Sequence, residues 1–256
     1  MRFLLGKICA ELSVIAVFSA SSAFAFDFSS WDGLLKKYVA PRTINGVKLQ
    51  AVDYKKLGKD QGYTKLIKEL EKASLSDLKT REEKLTFWIN VYNIMAAKMV
   101  LDHYPVQSIK DAGSLFTAVW KKEVGMVAGK TRTLNEIEHE ILRKMGEPRI
   151  HVAIVCASVS CPDLRGEAYA ADKLDEQLND QLKLFLANTE KGLRVDEKKG
   201  RVYVSSIFKW FKEDFESKGG VRKYLAPHAP ESAMAALKNN QVSVYYLDYD
   251  WDLNEL

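Results

Sequence analysis

The stretch Leu85-Thr86-Phe87-Trp88-Ile89-Asn90-Val91-Tyr92-Asn93-Ile94-Met95-Ala96-Ala97 is apolar almost all the way round a helix. A helix of that kind is stable only when it is buried, so it belongs in the interior of the fold. Its one polar or small stripe is Thr86, Asn90, Asn93 and Ala97. Buried amides must be hydrogen-bonded, and Asn is suited to clamp a neighbouring backbone or an imidazole, the backbone being the commoner partner.

The chain begins with Arg2 and Lys7, an apolar run from Leu12 to Phe18, and small residues ending at Ala23-Phe24-Ala25. This order reads as a cleavable signal peptide over residues 1–25, and the protein is expected to be exported, to the periplasm or beyond the cell. The apolar run is too short to span a bilayer, and no later stretch comes closer, so no membrane anchor is expected after cleavage. Residues 26–256 then form one domain. An apolar fraction of 47% supplies a substantial core. The formal net charge is only +4, with Lys interspersed among Glu and Asp, which is no nucleic-acid footprint. Cys156 and Cys161 are too few for a disulfide scaffold.

Helical spacing runs through 28–35, 66–70, 85–101, 134–145, 171–187 and 206–216. Strands are expected in a hairpin at 119–128, at 193–195 and 202–204 around a turn, and at 242–247. Ile150 to Cys156 is almost unbroken apolar and reads as a buried central strand. The expected fold class is therefore α+β, a helix-rich N-terminal half packed on a small mixed sheet.

Small residues follow Cys156, in Ala157-Ser158-Val159-Ser160-Cys161-Pro162, where a chain can turn tightly and a ligand can approach. A nucleophilic thiol at that edge needs a base. On a strand, His151 lies about 16 Å from Cys156 and on the other face, which excludes it. His103 and His228 sit in loop-like contexts. His139 is better placed, at the edge of the apolar stripe Leu134, Ile137, Ile141 and Met145 on a helix opened by the capping box Thr133-Leu134-Asn135-Glu136. Two carboxylates fall inside apolar stripes: Glu138 on that helix, and Asp214 among Ile207, Trp210, Phe211 and Phe215. Each needs a partner, either Arg143 or Arg165 in an ion pair or His139 in an orienting role.

Together the segments FWINVYN (87–93), LNEIEHEILR (134–143), HVAIVCASVSCPDLRGEAY (151–169), VSSIFKWFKEDF (204–215) and YDWDLN (249–254), with VDY at 52–54, resemble the family catalogued as domain of unknown function 547. Asn90, Asn93, Glu138, His139, Cys156, Arg165 and Asp214 all fall inside those motifs. The resemblance implies no established reaction. Other members, notably plant ones, carry Ser where this chain has Cys161, which weighs against an essential Cys156–Cys161 disulfide and leaves Cys156 as the thiol of interest.

The leading expectation is a thiol hydrolase or acyl transferase with papain-like or transglutaminase-like logic, in which Cys156 attacks, His139 takes its proton, and Asp214, Glu138 or an Asn orients the imidazole. Asn90, Asn93 and Arg165 are binding or orienting candidates, and no metal or cofactor is called for. One alternative is a non-enzymatic binding or scaffold module of the envelope with buried polar clamps. The other is a redox or structural disulfide between Cys156 and Cys161.

Overall fold

The computed structural model describes residues 26–114 and 117–256. The signal peptide expected at residues 1–25 lies outside the described residues. The order of elements begins with helix α1 (Ser29–Tyr38), the antiparallel hairpin β1 (Val39–Ile44) and β2 (Val47–Val52), and helices α2 (Tyr54–Leu57), α3 (Gln61–Glu71) and α4 (Arg81–Asp102). A second hairpin, β3 (Glu123–Val127) and β4 (Lys130–Thr133), is followed by a π-helical turn at Glu136–Leu142 and the short helix α5 (Ile150–Ala153). After α6 (Leu174–Ala187) come β5 (Leu193–Asp196), β6 (Arg201–Val204), α7 (Ile207–Trp210), α8 (Val221–Leu225), α9 (Glu231–Lys238) and β7 (Ser243–Tyr246). The fold is α+β, with β5 antiparallel and β7 parallel to the central β6.

Helix α4 is the axle of the structure. Thr80 starts it with a capping box, its hydroxyl accepting from Glu83 N–H while the Glu83 carboxylate accepts from Thr80 N–H, which satisfies two orphan amides. Every residue from Leu85 to Ala97 is buried, as the all-round apolar pattern requires. Trp31 and Leu35 of α1, Leu66 and Leu70 of α3, and Ile137, Leu142 and Ile150 join it in the main core. A second cluster, built from Phe185, Leu186, Val202, Val204, Phe208 and Phe215, fills the space under β5 and β6.

The expected central strand at 150–156 is not formed. Ile150–Ala153 makes one helical turn, and the backbone becomes extended only from Ile154. Short apolar runs do not distinguish a buried strand from a buried helical turn, because both are covered on every side. What decides the matter is Asn93. Its Nδ2 donates to the Ala153 carbonyl at 3.0 Å, and its Oδ1 accepts from Val155 N–H at 2.8 Å. A side chain of α4 thus satisfies backbone groups that a sheet neighbour would otherwise bond. Asn90, about one turn earlier on α4, does the same for Tyr169, donating to its carbonyl and accepting from its N–H.

The helix expected at 206–216 is also divided: α7 ends at Trp210 and a tighter 3-10 turn runs over Lys212–Lys218. This break turns Trp210 outward, where it is 47% exposed, so it does not share the buried face assigned to it.

Candidate functional site

Cys156 ends the extended Ile154-Val155 segment, and the next residue, Ala157, has φ +59°. A left-handed alanine costs about 1 kcal/mol, so surrounding bonds must hold the turn. The C-terminal segment supplies them: Val159 N–H donates to Asp252 O, Ser160 N–H to Asp250 O, and Asn254 N–H to Ala157 O. The same segment carries Tyr249 to the thiols.

The two sulfurs share that tyrosine. Its hydroxyl lies 3.2 Å from Cys161 Sγ and 3.3 Å from Cys156 Sγ, with Ser158 Oγ donating to it at 3.1 Å. Cys156 N–H also donates to Cys161 Sγ at 3.0 Å. Burial works against ionising Cys161, but the donors converging on it from Cys156 and Tyr249 outweigh that and bring it down to about 6. Cys156, whose thiol is the donor to Cys161 and which is itself desolvated, is pushed well up. Of the two thiols, Cys156 is the less buried.

Glu138 sits on the π-helical turn, buried, and accepts from the Tyr92 hydroxyl at 3.2 Å. Desolvation raises its carboxyl to about 7, with Tyr92 opposing. The widened turn displaces side chains from regular α-helical phasing, a feature frequent at functional sites.

The imidazoles are arranged differently from the sequence expectation. Arg143 donates through Nη1 to His139 Nδ1 at 2.9 Å, and because a guanidinium can only donate, His139 is neutral with its proton on Nε2. Burial and the Arg143 charge hold its pKa below the usual histidine value. Asp214 does not orient His139. It accepts two bonds from Arg143, at 2.7 and 2.8 Å, and a third from His151 Nε2 at 2.7 Å. Burial notwithstanding, these partners hold its carboxyl well below the ordinary range. His151 is buried and stacked on Phe211 with ring centroids 4.0 Å apart, and its Nδ1 has no protein partner. Burial keeps this ring neutral by lowering its pKa. With Nε2–H given to Asp214, Nδ1 carries a free lone pair.

These groups line one cavity of about 560 Å³, whose walls include Glu138, His139, His151, Cys156 and Cys161 together with Trp210, Tyr249 and Trp251. Among the described residues no hydrogen bond joins either sulfur to an imidazole; Cys156 Sγ faces Ser158 and Tyr249 instead. Arg165 stands apart from the cavity, bonded to Glu167 and Asp180. Asn90 and Asn93 are committed to backbone. Among the described residues no group of three His, Cys, Asp or Glu side chains is disposed to hold a metal.

Residues 75–186 match the family model DUF547, described as a protein of unknown function. This part of the chain is similar to the DUF547 family. No curated protein and no solved structure matches the chain. The DUF547 match takes in α4, Glu138, His139, His151 and both thiols, with Tyr92 and Trp120 of the cavity, and ends before Trp210, Phe211, Asp214, Tyr249 and Trp251.

Sequence reasoning passed over His151, Tyr92, Tyr249 and Trp251. The exclusion of His151 followed from the mistaken strand: on α5 the side chain leaves the backbone in a different direction, and the ring reaches the cavity. A signal for Tyr249 and Trp251 was present in the YDWDLN motif, but nothing in its spacing tells where a chain terminus docks.

Proposed function

We propose that this cavity is the site of a thiol-dependent acyl hydrolase or acyl transferase, in an exported protein from which residues 1–25 are removed. The observation that supports it best is the convergence of the Cys156 and Cys161 sulfurs on the Tyr249 hydroxyl, on a wall common to a carboxylate-bound imidazole. A thiolate is the nucleophilic form of cysteine, and the donors that favour it on Cys161 make that sulfur a base for Cys156.

In this reading Cys156, the more accessible sulfur, gives its proton to Cys161 and adds to a carbonyl carbon, forming the C–S bond. Cys161 hands that proton on to the departing group as the C–N or C–O bond breaks, and His139 Nε2–H hydrogen-bonds that group without giving up its proton. His151 Nδ1 then takes a proton from the water or acyl acceptor that attacks the thioester, with Asp214 stabilising the charged ring, and returns it to Cys156 as the C–S bond breaks. The base assigned to Cys156 thus changes from His139 to the neighbouring sulfur, and the ring that Asp214 orients changes to His151.

The close approach of both sulfurs to one hydroxyl favours a second reading, a disulfide formed on oxidation. One experiment separates the two. Purified protein is treated with iodoacetamide at pH 7 without reductant and digested for mass spectrometry. Alkylation of Cys156 faster than an ordinary surface thiol supports the acyl-transfer site. Recovery of a Cys156–Cys161 linked peptide, with no alkylation until reductant is added, supports the disulfide. Inert thiols overturn both and leave the scaffold alternative.

A further inference from the structure

The mouth of the cavity is made of aromatic rings. Trp251 packs against Trp120, Trp210 and Tyr249 at centroid separations of 5.5, 5.7 and 4.5 Å, the Trp210 and Trp251 planes lying only 19° apart. Trp210 nevertheless leaves 47% of its surface in solvent. Clustered apolar surface of this kind on a cavity rim is the usual mark of a binding site.

One cation completes the rim. Lys110 Nζ lies 3.7 Å from the Trp251 ring centroid, and among the described residues no carboxylate pairs with it. It lines the same cavity as both sulfurs, and burial lowers its pKa from the ordinary lysine value. Asp214 is paired with Arg143, and Glu138 is buried under Tyr92. Among the described residues that line the cavity, Lys110 is the one lysine or arginine, set against the flat apolar surface of the rings.

We propose that the site binds an acyl compound that carries a flat apolar group and a free carboxylate, the apolar group lying on Trp210 and Trp251 and the carboxylate meeting the Lys110 ammonium. This rests on reading the cavity as a substrate site. A carboxylate fits better than a phosphate because a lone ammonium is a point charge, whereas phosphate sites assemble several donors from a guanidinium fork or a helix N-terminus.

Calorimetric titration with 2-naphthoate and with the neutral 2-naphthamide tests this on the folded protein. The anion should bind about threefold to tenfold more tightly, the range of a partly exposed ion pair, and the preference should shrink as salt is raised. Lys110→Gln should bring the two affinities together, and Trp251→Leu should weaken both, with unfolding midpoints recorded to show that each variant is folded. Equal affinities in the parent, a preference that survives Lys110→Gln, or tighter binding of a naphthyl ammonium probe each overturn the proposal. Inert thiols beside an intact, Lys110-dependent preference would remove the acyl-transfer chemistry and leave the carboxylate site; alkylation without any preference would do the reverse.

Discussion

His151 Nε2 and Asp214 Oδ2 lie 2.7 Å apart, although 63 residues separate them and neither was paired with the other by the sequence. Arg143 donates to the same carboxylate through Nε and Nη2. His139 is bound to the same guanidinium, so one arginine organises two imidazoles and a carboxylate.

Removing that carboxylate strands two partners. Asp214→Asn should destabilise the fold by about 2 kcal/mol, less than the loss of a fully buried ion pair because the site is part-exposed. Its depressed pKa stabilises the folded state above the unfolded value of about 3.9, and that contribution is lost as the pH falls toward the folded value. Urea midpoints from pH 5 down to pH 2 should fall more steeply for the parent than for the variant; identical slopes would show Asp214 to be unpaired.

Glu138 acts in the opposite sense. Its pKa is raised to about 7, so the contribution is full below about 4.3 and is lost as the pH rises through 7. Glu138→Gln should be relatively more stable at pH 8 than at pH 5, by about 2 kcal/mol when each is compared with the parent at the same pH. The comparison at matched pH cancels the titration of the thiols. A constant difference across this range would place Glu138 in contact with water.

The tautomers can be read by nitrogen NMR. At pH 7.5 both His139 and His151 should be neutral with the proton on Nε2, the first because Arg143 donates to Nδ1 and the second because Asp214 accepts from Nε2. A protonated Nδ1 on either ring contradicts the assigned hydrogen bonds.

Tyr249→Phe removes a hydroxyl that both sulfurs face while keeping the ring among its aromatic neighbours. The apparent pKa of the thiol pair should rise toward the ordinary value of about 8.5, and alkylation at pH 7 should slow several-fold. An unchanged pH profile for iodoacetamide incorporation would mean that the tyrosine does not stabilise the thiolate.

Asn93→Ala leaves Ala153 C=O and Val155 N–H unpaired in the core. The cost should be about 2–4 kcal/mol, from two buried groups at 1–3 kcal/mol each with partial rescue by water. Chemical denaturation measures it, and a loss below about 1 kcal/mol would show that the clamp is dispensable.

Much of the architecture was legible in residue pattern alone. The all-round apolar run dictated that Leu85 to Ala97 be buried, and the Asn stripe could survive there only by clamping something, which it does. Paired short strands around the Asp196–Gly200 turn follow from local chemistry, as does the tight turn after Cys156. The pattern also showed that Glu138 and Asp214 needed partners, because an inward carboxylate is costly without one.

It did not name the partners. Periodicity places a side chain on a face of its own element but carries no information about which other element lies against that face. The single helical turn at His151 was hidden because a segment buried on all sides reads alike as strand or helix. Whether it became one or the other depended on Asn93, 58 residues earlier in the chain than His151, taking over its backbone hydrogen bonds. The identity of the imidazole that meets Asp214, and the arrival of Tyr249 between the two sulfurs, were decided by how distant segments pack, since a contact between remote residues is a property of the assembled core and not of either segment.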